Sequence, residues 1–184
     1  MNKQIQILGI VGSPRKGGNT DILIDEILSS AEEFGAETEK VILTDLNINP
    51  CQACNSCYKT GKCIQNDDME LLLEKMGKNK MWILGTPIYW WGPTAQFKTF
   101  LDRWYLPKHQ EFKGKKVVLV IPLGGGNERY ARHTVGLLKD VVNYLSMELF
   151  EILLAPGFNK RGEVRRNVSL LKKARDIGKR LMSS

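Results

Sequence analysis

Short apolar runs alternate with amphipathic stretches of helical length along this chain, and that alternation leaves few folds open. Ile5 to Val11, apolar but for Gln6, reads as a strand buried on both faces, continuous rather than alternating. Asn19 to Phe34 reads as a helix, with Ile22, Leu23, Ile27 and Leu28 on one face and Gly35 as its stop. Further strands are expected at Thr38–Leu43, Met81–Gly85, Val117–Pro122 and Leu149–Leu154. Further helices are expected at Asp67–Met76, Thr94–Tyr105, Glu128–Leu145 and Gly162–Leu181, the last interrupted by Gly178. The acidic pair Asp67 and Asp68 suits the positive end of its helix.

Strands alternating with helices indicate right-handed βαβ units and a parallel sheet covered on both faces. Five of each fit an α/β, flavodoxin-like three-layer sandwich with strand order 2-1-3-4-5. The 184 residues, 42% of them hydrophobic, are enough for one core, so residues 1–184 read as one domain. No apolar run reaches the roughly 18 residues of a membrane span. MNKQIQILGIVG runs directly into the first strand without a cleavage site, so a soluble, cytoplasmic protein is expected.

The net charge of +7 suggests an anionic partner. Much of the excess lies in Lys160, Arg161, Arg165, Arg166, Lys172, Lys173, Arg175, Lys179 and Arg180, which read as a solvated helix face. No zinc-finger, RNP or basic-zipper pattern accompanies the charge, so no nucleic-acid partner is expected.

Ligands of an open α/β sheet sit beyond the carboxyl ends of its strands. The first strand ends in Gly12-Ser13-Pro14-Arg15-Lys16-Gly17-Gly18-Asn19-Thr20 and enters a helix. Its glycines free backbone N–H groups, Ser13, Asn19 and Thr20 add donors, and Arg15 and Lys16 add charge, which suits one phosphate dianion. The run is neither a Walker loop nor a spaced G-x-G-x-x-G, and a polar turn starting a helix is the other reading. The third strand ends in Pro87-Ile88-Tyr89-Trp90-Trp91-Gly92-Pro93, where aromatic faces and fixed backbone suit a flat heterocycle. Trp90 and Trp91 read equally as core or subunit-interface residues. Gly124, Gly125 and Gly126 after the fourth strand allow close backbone approach, or serve only a tight turn. One loop for a phosphate, one for a ring and one for close approach make the outline of an FMN site.

Leu46 to Gln65 spans 20 residues without periodicity, longer than the roughly 15 that compact domains usually allow. It holds every cysteine: Cys51, Cys54, Cys57 and Cys63, spaced C-x2-C-x2-C-x5-C. Four thiolates so close suit a soft metal centre, and C-x2-C-x2-C is the compact arrangement of [4Fe–4S] ligands. Zinc and free or redox-active thiols remain the other readings, whereas a cytoplasmic setting disfavours disulfides. His109 and His133 sit in no triad pattern and read as surface residues. No residue is nominated as catalytic, because the chemistry falls to cofactors.

GSPRKGGNT, the four-cysteine loop and TPIYWWGPTAQFKTFLDRW together resemble the iron–sulfur flavoprotein family, within the NADPH-dependent FMN reductase-like group. The resemblance implies that Ser13, Arg15, Asn19 and Thr20 bind phosphate, that Pro87 to Trp90 hold the isoalloxazine and that Gly124 to Gly126 form its second edge. It implies that Cys51, Cys54, Cys57 and Cys63 ligate the cluster. It further implies a homodimer or homotetramer, a ferredoxin-like electron donor, and a small acceptor such as oxygen, peroxide or quinone. A basic surface would steer an acidic ferredoxin. A cluster-free NAD(P)H-dependent FMN or quinone reductase is the nearest alternative, followed by a non-enzymatic FMN electron carrier and then a nucleic-acid binder.

Overall fold

The computed structural model describes residues 5–105 and 111–183. Its strands are β1 (Gln6–Val11), β2 (Glu37–Ile42), β3 (Met81–Gly85), β4 (Lys116–Leu123) and β5 (Glu148–Pro156). All pair in parallel in the order β2-β1-β3-β4-β5, as expected from the alternation. Period-2 geometry then divides the apolar side chains between two layers. Leu8, Ile10, Trp82, Leu84, Leu119 and Ile121 face α3 (Met69–Lys78), α4 (Ala95–Asp102) and α5 (Arg132–Tyr144). Ile7, Val11, Ile83, Val118 and Val120 face α1 (Asn19–Glu33) and α6 (Val168–Leu181).

Helix boundaries depart from the periodicity for local reasons. The expected helix at Glu128–Leu145 opens as a 3₁₀ turn over Glu128–Ala131, and only then does α5 begin. The expected helix from Gly162 likewise begins with a 3₁₀ turn at Glu163–Arg166, because Gly162 holds a left-handed φ of 71°. Asn167 caps α6 by accepting from the Leu170 amide. Gly178 is not a break: a Cβ there would stand 2.2 Å from the Ile27 carbonyl oxygen, so the missing side chain lets α6 cross α1 closely. Asp67 serves the start of α3 by accepting from the Met69 amide at 3.2 Å, and the two aspartates also do more than that. Their carboxylates accept from the Asn49 and Asn47 amides, at 2.9 and 2.7 Å, and close the neck of the cysteine loop. That loop carries a short helix of its own, α2 (Ser56–Thr60), absent from the sequence pattern.

The basic C-terminal residues are less uniform than a solvated face. Arg175 pairs with Glu33 on α1 and Arg180 with Glu151 on β5. His133 is exposed as expected, while His109 lies outside the described residues. Among the described residues, no helix is long and apolar enough to cross a membrane.

Candidate functional site

Parallel pairing brings the ends of β1, β3, β4 and β5 to one edge of the sheet. Gly12 N–H donates to the Gly85 carbonyl at 2.7 Å, and Thr94 hydroxyl bonds the Gly12 carbonyl. These contacts lock the loop after β1 to the loop after β3. A cleft opens above them, bordered by Ser13, Arg15, Asn19 and Thr20 from the first loop and by Pro87, Ile88 and Tyr89 from the second. Gly124 closes the β4 side.

The floor of this cleft is the start of α1, whose N-terminal residue Gly18 offers no side-chain cap. The first amides of a helix lack internal partners and carry partial positive charge. Gly18 must be glycine, since a Cβ would stand 2.6 Å from the Arg15 carbonyl oxygen. Buried Asp21 fixes the turn by accepting from the Gly17 amide at 2.7 Å, and Lys40 neutralises it at 2.7 Å. Burial opposes the Lys40 charge, but Asp21 and Asp25 hold its pKa above the usual lysine value. Thr20 lines the cleft, and its buried Oγ1 finds no hydrogen-bond partner among the described residues. A buried hydroxyl left so costs free energy unless a ligand completes it. An anion at an uncapped helix start would do so.

The other phosphate candidates divide. Ser13 is buried and accepts from the Arg15 amide at 3.2 Å. Arg15 donates to the Asn159 carbonyl at 3.0 Å. Asn19 does not offer its side chain to the cleft: Nδ2 donates to the Phe158 and Lys160 carbonyls, and Oδ1 accepts from Val164. Its side-chain amide is spent on holding the β5–α6 loop, while the residue itself borders the cleft. Lys16 pairs with Asp45 at the outer rim rather than lining the cleft.

A second, contiguous hollow lies over Ile88, Trp90, Trp91, Gly124, Gly125 and Tyr130. Tyr89 and Gly92 exchange backbone hydrogen bonds at 2.9 and 3.0 Å, which makes Trp90 and Trp91 the centre of a two-residue turn. Both tryptophans hold left-handed φ values of 49° and 61°. This primed turn normally takes Asn-Gly, and bulky residues there mark strain kept at functional sites. Trp90 is 91% exposed, so of the readings open for it, core packing is excluded. Gly92 serves the turn. Gly124 and Gly125 are glycines because a Cβ would strike Asn159 Oδ1 at 1.9 Å and the Tyr130 ring at 2.5 Å. Gly126 is exposed, with nothing within 4 Å of a Cβ, and borders neither hollow.

Phe158, Asn159 and Arg161 also border the cleft, and the sequence reading missed them. The signal was present: Ala155-Pro156-Gly157 ends a fifth parallel strand at the same sheet edge. The shape of the two hollows, the orphaned Thr20 hydroxyl and the uncapped helix fit a phosphorylated flat heterocycle such as FMN.

The cysteines form a separate constellation. Cys51, Cys57 and Cys63 border one cavity together with Arg103 and Tyr105. Cys54 faces the Ser56 amide and hydroxyl, which hold its thiol pKa below the ordinary 9.0. Ala53 and Asn55 on either side of it hold left-handed φ values of 51° and 57°. Among the described residues no three His, Cys, Asp or Glu side chains are gathered as a metal-binding group. The donor chemistry and the cavity shared by three of the cysteines fit a thiolate-held cluster, although Cys54 does not border that cavity.

Arg103, which the sequence reading passed over, organises this loop. Its buried guanidinium pairs with Asp67 at 2.6 Å and donates to the Asn49 carbonyl at 2.8 Å. Its second nitrogen lies 3.5 Å from Cys63 Sγ. Burial opposes both charges, yet Arg103 holds the Asp67 carboxyl below the ordinary 3.8, and Asp67 in turn raises Arg103. An arginine set among Phe100, Leu101 and Trp104 is the signal that could have found it.

Residues 5–152 match the family described as NADPH-dependent FMN reductase. An iron–sulfur flavoprotein of Methanocaldococcus jannaschii is 44% identical over 99 residues, covering 54% of this chain and 51% of that protein. Another, from Methanosarcina thermophila, is 34% identical over 137 residues, covering 74% of this chain and 72% of its own. The chain thus spans about half to three-quarters of the length of these relatives. A solved flavone reductase superposes with a TM-score of 0.76 at 21% identity, over 97% of this chain and 62% of that one, which supports the fold. The chain belongs to the iron–sulfur flavoproteins, within the NADPH-dependent FMN reductase family.

Proposed function

We propose that this chain forms a flavin-dependent oxidoreductase domain that holds FMN at the strand-end cleft and a [4Fe–4S] cluster on Cys51, Cys54, Cys57 and Cys63. When bound, FMN supplies two-electron chemistry and the cluster supplies single electrons. The buried, unpartnered Thr20 hydroxyl beside an uncapped helix carries the flavin half of this reading. Ser13, Thr20 and the first amides of α1 hold the phosphate, with Arg15 and Arg161 at its rim. Trp90, Trp91 and Tyr130 cover the ring and exclude water from it.

Helix α4 joins the two sites. Its capping residue Thr94 bonds the phosphate loop through Gly12, while Arg103 just past its end holds the cysteine loop. The anchors flank the eight-residue helix, and at 1.5 Å per residue they stand about 13 Å apart along it. The proposed donor is an acidic, ferredoxin-like protein and the proposed acceptor a small molecule such as oxygen, peroxide or quinone. A homodimer or homotetramer is proposed as the working assembly.

Anaerobic flavin reduction separates this reading from its nearest rival. Reduced ferredoxin should bleach the flavin quickly, at a rate that falls with added salt, whereas NADPH alone should bleach it slowly or not at all. Rapid bleaching by NADPH, with ferredoxin inert, would favour a cluster-free reductase. That Cys54 faces Ser56 and does not border the cavity shared by the other three cysteines is the observation on that side.

A further inference from the structure

We propose that Arg103 sets the reduction potential of the centre held by the cysteine loop, through an N–H···S hydrogen bond to Cys63; this rests on the cluster reading above. Arg103 Nη2 lies 3.5 Å from Cys63 Sγ, within range of a hydrogen bond to sulfur. The same guanidinium is locked by Asp67 Oδ1 and Oδ2, at 3.1 and 2.6 Å, and by the Asn49 carbonyl. Its side chain is 4% exposed and that of Asp67 is fully buried, so neither charge is damped by water.

The geometry specifies more than a clamp. A clamp for the loop neck needs only the contacts to Asn49 and Asp67, and both are made by Nη1. Nη2 reaches Cys63 as well, and the planar fork of arginine presents both nitrogens at once, which a lysine cannot do. A donor and a positive charge beside a ligating sulfur favour the more negative, reduced form of the centre and raise its potential. Asp67, a buried negative charge paired with the same guanidinium, works in the opposite sense. The two residues of one ion pair therefore act on the potential with opposite signs, whereas a structural role for the pair would make them act alike.

The test uses the full chain, purified without oxygen, with iron, sulfide and FMN assayed before spectroelectrochemical titration. Wild type, Arg103→Lys and Asp67→Asn are compared, and the FMN couple of each sample serves as internal reference. Arg103→Lys should lower the cluster couple by about tenfold in its one-electron equilibrium, which is about 59 mV. Asp67→Asn should raise it, and the FMN couple should stay in place in both. Should Arg103→Lys lose its iron, an upward shift in Asp67→Asn alone still supports the assignment. Shifts of the same sign, no shift, or loss of iron from both variants would overturn it and leave Arg103 a clamp. Iron-free wild type that retains FMN would sink the cluster reading itself, and this inference with it.

Discussion

Thr20 shows how far single residues could be read. The sequence places it at the start of a helix after a Gly-rich turn, and the structure finds its hydroxyl buried without a partner. Thr20→Val keeps the shape and removes that hydroxyl. Because an unmet buried polar group costs stability, the apo protein should be as stable as wild type or slightly more so. Affinity for FMN should fall about tenfold or more, the worth of a hydrogen bond to a charged group. Flavin fluorescence quenching and the Tm of apo protein check the two halves, and a fall in Tm with unchanged affinity would contradict them. Asn19 was legible in type but not in role. Its partners, Phe158, Lys160 and Val164, lie more than a hundred residues further along the chain, and no local pattern reports such contacts.

Among the elements, period and composition placed all five strands and all the long helices. What they could not show was how closely α1 and α6 cross. Gly178 reads as a weakness in a helix, yet it is where the Ile27 carbonyl and Ser30 pack. Gly178→Ala should gain helix propensity and still destabilise by about 1–3 kcal/mol through overpacking. Denaturant unfolding checks this, and a more stable variant would show that the helices separate at little cost. The Tyr89–Gly92 turn makes the converse case. Trp90→Asn with Trp91→Gly supplies the residues that the turn favours, and should stabilise by about 1 kcal/mol per relieved residue. The same pair should weaken flavin binding, measured as FMN retained on a desalting column.

For the whole molecule, the strand order followed from alternation alone, because right-handed crossovers leave few ways to build such a sheet. The convergence of strand-end loops followed with it. The anchoring of the cysteine loop did not, since Asp67 and Arg103 are distant in sequence and only the tertiary fold brings them together. Their pair also predicts an acid response. Asp67 titrates below its ordinary 3.8 in the folded state, so its contribution is complete above that value and is lost as pH falls through the depressed one. Asp67→Ala should cost about 3–5 kcal/mol near neutrality by stranding a buried guanidinium. The penalty should shrink in acid, where wild type loses the same contribution, and unfolding midpoints at several pH values would show it.

Whether one fold holds both a flavin and a cluster is decided by content analysis of anaerobically purified protein. Iron, acid-labile sulfide and flavin should be measured together with the visible spectrum. One FMN and about four irons per chain are expected, with flavin bands over broad brown absorbance. A clean yellow flavin spectrum without iron would contradict the cluster assignment, and protein devoid of flavin would contradict the reading of the strand-end cleft.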